Sequence, residues 1–347
     1  MLYSKVYIDS FAYELAPNVV TSDDLEDRLE PLYEKLRIQK GQLEAFTGIH
    51  ERRFWDPGYK MYEGAAAAGQ KAIAASNISI GDIGMLVYAG VCRDNLEPAT
   101  ACAVADRLDL SSETEIYDVS NACLGVLNGM LQIADAIELG RIRAGLVVSC
   151  EASRQIVELT IERLLRAGSM SLYKESIATL TGGSGAVAVL LTHASLSDQG
   201  HCFMGGVIRN AAAYHRLCLW GPDAGKTAAD GIHVMKTDSV GVLRNGVTLG
   251  IETYRAFKEK FAWPDDKPDK VICHQVGAAH QKNILEAVGL PAEKDFSTFR
   301  HLGNIGTVSL PITAAIASER EFLQKNDLVG FFGIGSGLNC MMLGIRW

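Results

Sequence analysis

A single cysteine occupies the junction between a predicted strand and a predicted helix. Residues 116–119 have the apolar character of a strand, Cys123 follows among small residues, and the uncharged stretch 119–134 predicts a helix buried on most faces. The first N–H groups of a helix are unpaired and partly positive, which favours a thiolate and lowers a cysteine pKa. Because a free cysteine is more often an ordinary buried side chain, it is this position that makes Cys123 a candidate nucleophile.

Three further stretches carry groups that could act together with this cysteine. His274 lies at the end of the predicted buried strand 270–276, Asn304 lies between two glycines, and Ser336 stands in a Gly-Ser-Gly sequence. Active sites of α/β proteins gather at the carboxyl ends of strands, and a glycine-rich loop exposes backbone N–H groups that can form an oxyanion hole. Each feature alone also has an ordinary explanation, either a hydrogen-bonded core histidine or a tight turn.

Taken together, these residue types predict acyl transfer through a thiol. In such chemistry a cysteine accepts an acyl group and two backbone N–H groups hold the oxyanion. A histidine and an asparagine bind a second carbonyl group as it becomes an enolate. Cys123, His274 and Asn304 would supply the side chains, and the glycine-rich loop at Ser336 would supply backbone N–H groups.

The composition argues against several other classes of protein. A net charge of −8 disfavours a nucleic-acid-binding surface, and 48% hydrophobic residues suffice to bury a sizeable core. The eight cysteines are scattered without a C-x-x-C pair, so neither a zinc site nor a disulfide framework is predicted. The amino terminus lacks the apolar segment of a signal peptide, and no uncharged apolar run reaches the roughly 18 residues of a membrane span. We therefore expect a soluble, cytoplasmic protein with reduced thiols, without a bound metal and without a membrane span.

Strands and helices alternate along the chain, which predicts an α/β fold with mainly parallel sheets. In the first part we expect strands at 4–12, 83–90, 116–119, 143–150 and 181–191, and helices at 20–36, 61–76, 100–108 and 126–140. In the second part we expect strands at 207–209, 270–276 and 328–332, and helices at 239–261 and 280–288. Pro31 should kink or divide the first helix, for which Thr21 or Ser22 is the expected N-cap.

Two stretches between these elements are less regular. Residues 152–180 form an amphipathic insertion whose clearest helix is 156–165, and residues 195–240 are irregular, with a turn or loop at 220–222. We expect residues 195–240 to shape the entrance for the substrate, and both stretches to set the shape of the acyl tunnel. The glycine-led run 182–190 is echoed by 333–343, and this similarity indicates two related halves.

Four motifs resemble those of the thiolase-fold condensing enzymes, specifically the 3-oxoacyl-(acyl carrier protein) synthase III group. They are Val-Ser-Asn-Ala-Cys ending at Cys123, His-Gln at His274, Gly-Asn-Ile-Gly around Asn304 and Gly-Ser-Gly around Ser336. The resemblance extends from residue 47 to the carboxyl terminus, so it covers nearly the whole chain.

The resemblance implies a fold of two β-α-β-α-β-α-β-β halves in a five-layered αβαβα arrangement, assembled as a homodimer. The first half would be 1–195, which carries Cys123 and the insertion 152–180, and the second would be 196–347, which carries His274 and Asn304.

The resemblance also implies a role for each motif. Cys123 would be the acylated nucleophile, and His274 and Asn304 would serve the second substrate. The backbone N–H groups of Cys123 and Ser336 would form the oxyanion hole. The substrates would be fatty acyl thioesters of coenzyme A or of acyl carrier protein, with no cofactor.

One departure from the synthase III pattern narrows the chemistry. Synthases that initiate fatty acid synthesis tend to place an aromatic or other apolar residue where this chain has Glu97, just before Pro98. A carboxylate there resembles the olefin-biosynthesis condensing enzymes, which join two long fatty acyl-CoA molecules head to head without a malonyl group. An acyl thioester that has no malonyl group must lose an α-proton to a base, and a carboxylate in an apolar tunnel can accept it. We therefore expect Glu97, contributed by the neighbouring subunit, to be the base.

The sequence leaves several alternatives open. Glu97 could be a surface carboxylate paired with Arg93. The second substrate could be a malonyl thioester that loses carbon dioxide, or the acyl group could pass to an oxygen or nitrogen acceptor. Gln42 and Phe46 stand where synthase III members usually carry the Trp and Arg that sandwich the adenine of coenzyme A. Delivery by coenzyme A or by an acyl carrier protein therefore stays open, as does the acyl chain length.

Overall fold

The computed structural model describes residues 1–197, 200–222 and 233–347. The strands in this part of the chain are β1 Val6–Leu15, β2 Asn18–Thr21, β3 Glu51–Phe54, β4 Ile83–Tyr88, β5 Glu115–Asp118, β6 Ala144–Glu151, β7 Gly185–His193, β8 His201–Asn210, β9 Cys218–Pro222, β10 His233–Thr237, β11 Lys270–Cys273, β12 Leu328–Gly335 and β13 Asn339–Arg346. The helices are α1 Ser22–Arg28, α2 Glu30–Leu36, α3 Gln42–Thr47, α4 Met61–Ala74, α5 Thr100–Arg107, α6 Gly125–Glu138, α7 Arg154–Ala167, α8 Met170–Leu180, α9 Ser239–Phe261, α10 Ala278–Val288, α11 Phe299–Leu302 and α12 Ser309–Glu319.

Nine of the strands pair in the order β11-β12-β13-β8-β1-β7-β6-β4-β5. β1 and β8 meet through two residue pairs, Tyr7 with Cys202 and Ile8 with His201, so two smaller sheets join at a short seam. β6 pairs in parallel with β4 and antiparallel with β7, and β12 pairs in the same way with β11 and β13. This repeated order confirms that the fold is duplicated. The prediction of mainly parallel sheets is wrong, because only β5–β4, β4–β6 and β11–β12 pair in parallel and the other neighbours in this order pair antiparallel. The alternation of strands and helices along the sequence does not specify the direction in which each strand pairs.

Helices α6 and α12 form the central layer between the two sheets. Ten of the 14 residues of α6 and eight of the 11 residues of α12 are buried, as expected for helices enclosed on most sides. A Cβ atom on Gly129 would lie 2.8 Å from Val147, so the glycine lets α6 approach β6 closely. α4 and α5 cover the outer face of the first sheet, and α9 and α10 cover that of the second. The predicted five-layered αβαβα arrangement is confirmed.

The first predicted helix is divided where Pro31 indicated. α1 ends at Arg28 and α2 carries Pro31 in its first turn, where a missing N–H costs no hydrogen bond. Thr21 is the N-cap of α1: its side chain accepts from the backbone N–H of Asp24, and the Asp24 carboxylate accepts from the backbone of Thr21.

The predicted turn at 220–222 is wrong. Those residues belong to β9, which pairs antiparallel with β10 from Cys218–Thr237 to Pro222–His233. Gly221 and Pro222 have the local pattern of a turn, but a proline is also compatible with the end of an outer strand. The partner strand β10 lies further along the chain, so a local pattern does not indicate the pairing. Residues 198–199 and 223–232 of the stretch predicted to be irregular lie outside the described residues.

Among the described residues, no helix combines the length and the apolar character that crossing a membrane requires.

Candidate active site

The chain turns sharply just before Cys123. β5 ends at Asp118, Ala122 adopts a left-handed conformation with φ of 45°, and α6 begins at Gly125. A residue with a side chain is strained in that conformation, and such strain is concentrated in turns that present functional groups. The turn places Cys123 at the amino end of α6, where the sequence predicts it.

Burial determines the protonation state of Cys123 in the resting protein. Burial, together with the neighbouring Cys218 and Glu151, raises the pKa of the thiol to about 12. The predicted lowering of this pKa is therefore wrong, because desolvation disfavours the charged thiolate and is the largest influence on this group. The resting thiol is protonated at neutral pH.

His274 directly follows β11, and its backbone N–H donates to the carbonyl of Phe332 at 2.9 Å. Its side chain is 8% exposed, and neither ring nitrogen has a hydrogen-bond partner among the described residues. Burial, together with the nearby His280, lowers the pKa of His274 to about 3, so the imidazole is neutral. Buried polar atoms are normally paired, so these two nitrogens indicate a place where a bound molecule completes the site.

Asn304 is held in a turn by three hydrogen bonds. Its N–H donates to the carbonyl of Thr181 at 2.9 Å, and its carbonyl accepts from Gly183 at 3.0 Å. Its side-chain Oδ1 accepts from the N–H of Gly306 at 3.1 Å. Because Oδ1 faces a backbone donor, the Nδ2 group is the part of the amide that can donate to a substrate.

The Gly-Ser-Gly sequence forms the connection between β12 and β13. A Cβ atom on Gly335 would lie 3.4 Å from the backbone nitrogen of Cys123, so the glycine lets the chain pass close to the nucleophile. Within the described ranges, no backbone hydrogen bond uses the N–H groups of Cys123 and Ser336. Both N–H groups can therefore donate to an oxygen that gains negative charge.

Sequence reasoning missed the side chains that tie these loops together. Asn339 donates to Asn121 Oδ1 at 3.1 Å and to the carbonyl of Ser336 at 3.5 Å, and Asn121 donates to Asn128 at 2.7 Å. The nucleophile turn of the first half is thus connected to the glycine turn of the second. Asn121 belongs to the cysteine motif and Asn339 follows the glycine motif, but only the fold shows that the two meet.

Cys123, His274, Asn304 and Ser336 line one cavity of about 240 Å³. The rest of the wall is mostly apolar and includes residues from the two stretches predicted to shape the entrance and the tunnel: Ile177, Ala178, Cys218, Met235, Thr237 and Ser239. An apolar wall with a few convergent polar groups is typical of a site for a largely apolar ligand. No group of three or more metal-binding side chains occurs in the part of the chain that the structure describes.

Glu97 lies outside this cavity. It belongs to the loop between β4 and α5, where it is exposed and the adjacent Leu96 is 91% exposed. The alternative of an ion pair with Arg93 is wrong, because Arg93 approaches Asp118 instead, at 3.9 Å. A single chain thus brings together four of the five predicted site residues and leaves the carboxylate apart.

The fold and the cavity define the class of protein, an acyl-transferring condensing enzyme with the thiolase fold. A family model described as 3-oxoacyl-[acyl-carrier-protein (ACP)] synthase III C terminal matches residues 259–347. That segment contains His274, Asn304 and Ser336.

Over its whole length the chain is similar to two proteins named acyl-CoA:acyl-CoA alkyltransferase. It is 52% identical to the protein from Shewanella oneidensis and 34% identical to that from Xanthomonas campestris pv. campestris, with 100% of both chains covered each time. Crystal structures of Xanthomonas campestris OleA are 34% identical and cover 100% of this chain. A cerulenin-bound form has a TM-score of 0.94 over 98% of its own chain. A cysteine-to-serine variant with lauric acid and lauroyl-CoA has a TM-score of 0.93 over 100%. The chain belongs to the acyl-CoA:acyl-CoA alkyltransferase family.

Proposed function

We propose that the protein joins two fatty acyl-CoA thioesters head to head by Claisen condensation, through an acyl group carried on Cys123. The observation that carries this proposal is the single cavity on which Cys123, His274, Asn304 and Ser336 meet. The relatives support it, since two are named for alkyl transfer between acyl-CoA molecules and one is solved with lauroyl-CoA.

In the first step, the sulfur of Cys123 attacks the thioester carbonyl of one acyl-CoA. The N–H groups of Cys123 and Ser336 donate to the oxygen as it gains charge, and one such donor is worth about 10²–10³ in rate. The carbon–sulfur bond to coenzyme A breaks, and coenzyme A leaves as a thiol with the proton that Cys123 gives up. Because burial keeps the resting thiol protonated, the nucleophile forms only when a thioester is in place to receive that proton on its leaving sulfur.

In the second step, the carbonyl of another acyl-CoA accepts hydrogen bonds from neutral His274 and from Asn304 Nδ2. Glu97 removes a proton from the α-carbon, and the enolate charge develops on the oxygen that these two groups hold. The α-carbon attacks the acyl group on Cys123, so that a carbon–carbon bond forms and the carbon–sulfur bond to Cys123 breaks. The thiolate regains the proton taken by Glu97, and a 2-alkyl-3-oxoacyl thioester is released.

Glu97 would reach the cavity of a second copy of the chain in a homodimer. The loop that carries it ends in the exposed Leu96, and β5, which pairs with β4 beside this loop, is the edge strand of the sheet. Ile116 on β5 is also partly exposed. An apolar tip beside an open strand edge is a surface that a second copy can cover.

The relatives offer independent support for Glu97. Solved variants of Xanthomonas campestris OleA replace a cysteine and a glutamate. In the Xanthomonas protein, the replaced glutamate precedes the replaced cysteine by the same number of residues as Glu97 precedes Cys123 in this chain.

Two other reactions are compatible with the same cavity. A malonyl thioester would form its carbanion by losing carbon dioxide and would not need Glu97. Transfer of the acyl group to oxygen or nitrogen would not need both His274 and Asn304. We favour coenzyme A over acyl carrier protein as the carrier of both acyl groups, because the relatives are named for acyl-CoA.

The deciding experiment supplies one long-chain acyl-CoA and no malonyl donor to the purified protein. We expect both free coenzyme A and a condensed product whose mass corresponds to two acyl chains. Chromatography and mass spectrometry measure the two products. Release of coenzyme A without a condensed product, and condensation that appears only when malonyl thioester is added, would establish the decarboxylative alternative instead.

We also propose a cytoplasmic location for the protein. All eight cysteines are free, which suits a reducing compartment. We further propose that the boundary between the two halves lies at residue 195. This residue lies between β7 and β8, where the strand order begins to repeat.

A further inference from the structure

The loop that carries Glu97 is held at its base by three carboxylates. It connects β4 to α5 (residues 89–99), and each carboxylate accepts two backbone N–H groups at 2.9–3.2 Å. Asp94 accepts from Met61 and Tyr62, Asp118 accepts from Thr100 and Ala101, and Glu151 accepts from Val91 and Cys92. Residues 95–98, at the tip, take part in no backbone hydrogen bond among the described residues. The position of Glu97 therefore depends on how the base of the loop is held.

Glu151 is the most deeply buried of the three carboxylates. It ends β6 and is 4% exposed, and its two oxygens accept from the N–H of Val91 at 2.9 Å and from that of Cys92 at 3.2 Å. Burial raises the pKa of Glu151, and the hydrogen bonds from Val91 and Cys92 oppose that rise. A buried carboxylate is costly unless its oxygens are paired, so the carboxylate and the first residues of the loop fix each other.

The same carboxyl group also lies against the turn that carries Asn304. A Cβ atom on Gly306, two residues after Asn304, would lie 3.5 Å from the Glu151 carboxyl carbon, and Gly306 has φ of 61°. Besides burial and Cys218, Glu151 is a cause of the raised pKa of Cys123. Glu151 thus contacts both the Asn304 turn of its own subunit and the loop that would serve the cavity of the other subunit.

We propose that Glu151 is a positioning residue that holds the loop of its own subunit so that Glu97 reaches the partner's cavity. This inference rests on the proposed function, because it requires Glu97 to act in the other subunit. A side chain at position 151 with only one acceptor oxygen would leave the N–H of Val91 or of Cys92 without a hydrogen-bond partner. The base of the loop would then shift. The tip has no hydrogen bonds of its own to correct that shift, and a misplacement of about 1 Å at a reacting group can cost about 10²-fold in rate.

The first test is Glu151→Gln, which keeps the shape of the side chain but replaces one acceptor oxygen by an NH₂ donor. We expect condensation to fall about tenfold or more, while acylation of Cys123 by acyl-CoA is not slowed, because removal of the Glu151 charge does not hinder formation of the thiolate. Mass spectrometry in a single turnover measures the acylation. Asp269→Asn is the matched control, because Asp269 also accepts a backbone N–H, from Leu328 at 2.9 Å, at the end of β11 remote from His274. Wild-type condensation in Glu151→Gln, or an equal loss of acylation, overturns the inference.

The second test uses mixed dimers of one Cys123→Ala chain and one Glu151→Gln chain, purified with two different tags. Such a dimer has one cavity in which an intact cysteine faces the correctly held loop of the other chain. We expect about half the condensation rate of the wild-type dimer, because one of the two cavities works. No recovery overturns the inference, since Glu151 would then act within the cavity of its own subunit.

The Glu97→Gln homodimer separates this inference from the proposed function. If Glu97→Gln condenses at the wild-type rate, the assignment of the base fails, whatever Glu151→Gln does. If Glu97→Gln is inactive and Glu151→Gln is normal, only the positioning role of Glu151 fails.

Discussion

Desolvation sets the protonation state of Cys123 and His274 at the reacting centre. It raises the pKa of Cys123 to about 12 and lowers that of His274 to about 3, so both are uncharged at neutral pH. A neutral imidazole can donate a hydrogen bond to a carbonyl without placing a second charge in the cavity. Neither group titrates between about pH 6 and 9, so His274 should act as a hydrogen-bond donor over this whole range.

Replacing Glu97 by Gln removes the proposed base and preserves its size. We expect condensation to fall by about 10²–10⁴-fold, while acyl-Cys123 forms at the wild-type rate, because the first step uses no group on the loop. Mass spectrometry of the Cys123 adduct and chromatography of the product measure the two steps separately. Glu293→Gln, an exposed carboxylate in the second half, is the control. Normal condensation in Glu97→Gln would mean that another group takes the α-proton.

At the scale of elements, the helix that follows Cys123 is held in place from the other half of the molecule. Leu124, the N-cap of α6, makes no side-chain hydrogen bond to the helix. Instead, Thr307 Oγ1 accepts from the N–H of Val126 at 2.7 Å, and Thr307 is 1% exposed. A residue of the Asn304 turn thus satisfies one of the unpaired donors at the start of α6.

Thr307→Val should test this connection, since valine has nearly the same shape and no acceptor. We expect the free energy of unfolding to fall by about 1–3 kcal/mol, because Val126 is left with a buried, unpaired N–H. Urea denaturation followed by circular dichroism measures the change. Thr307→Ser retains the hydroxyl group and should lose clearly less than Thr307→Val. Equal losses in the two variants would show that the methyl group of Thr307, and not its hydroxyl, is what matters.

For the whole molecule, the proposed role of Glu97 predicts that condensation requires a dimer, because this residue lies apart from the other site residues of its own chain. Leu96→Asp places a charge on the most exposed apolar side chain beside Glu97. We expect the dimer dissociation constant to rise at least about tenfold, as for other apolar contacts at the centre of an interface, measured by analytical ultracentrifugation. Val240→Asp, at the start of α9 and 78% exposed, is the control and should leave the dimer intact. A monomeric wild-type protein that condenses acyl-CoA would contradict the role in the second subunit.

The sequence was sufficient for the features that local patterns encode. Alternating strands and helices predicted the α/β fold, and the motifs at Cys123, His274, Asn304 and Ser336 predicted four groups that line one cavity. What could not be predicted depends on contacts between distant segments. The β9–β10 pairing, the bond between Asn339 and Asn121 and the anchoring of the loop by Glu151 all join residues that no local pattern relates. The prediction of a lowered pKa for Cys123 was wrong for the same reason, because desolvation is a property of the assembled fold.

The raised pKa of Cys123 has a consequence for the chemical durability of the protein. Peroxides and alkylating agents attack thiolates far faster than thiols, and oxidation to a sulfenic acid follows thiolate character and exposure. With the pKa of Cys123 at about 12, only a very small fraction of the resting protein carries a thiolate at neutral pH. The nucleophile should therefore survive oxidative stress between turnovers and become reactive only while a thioester fills the cavity.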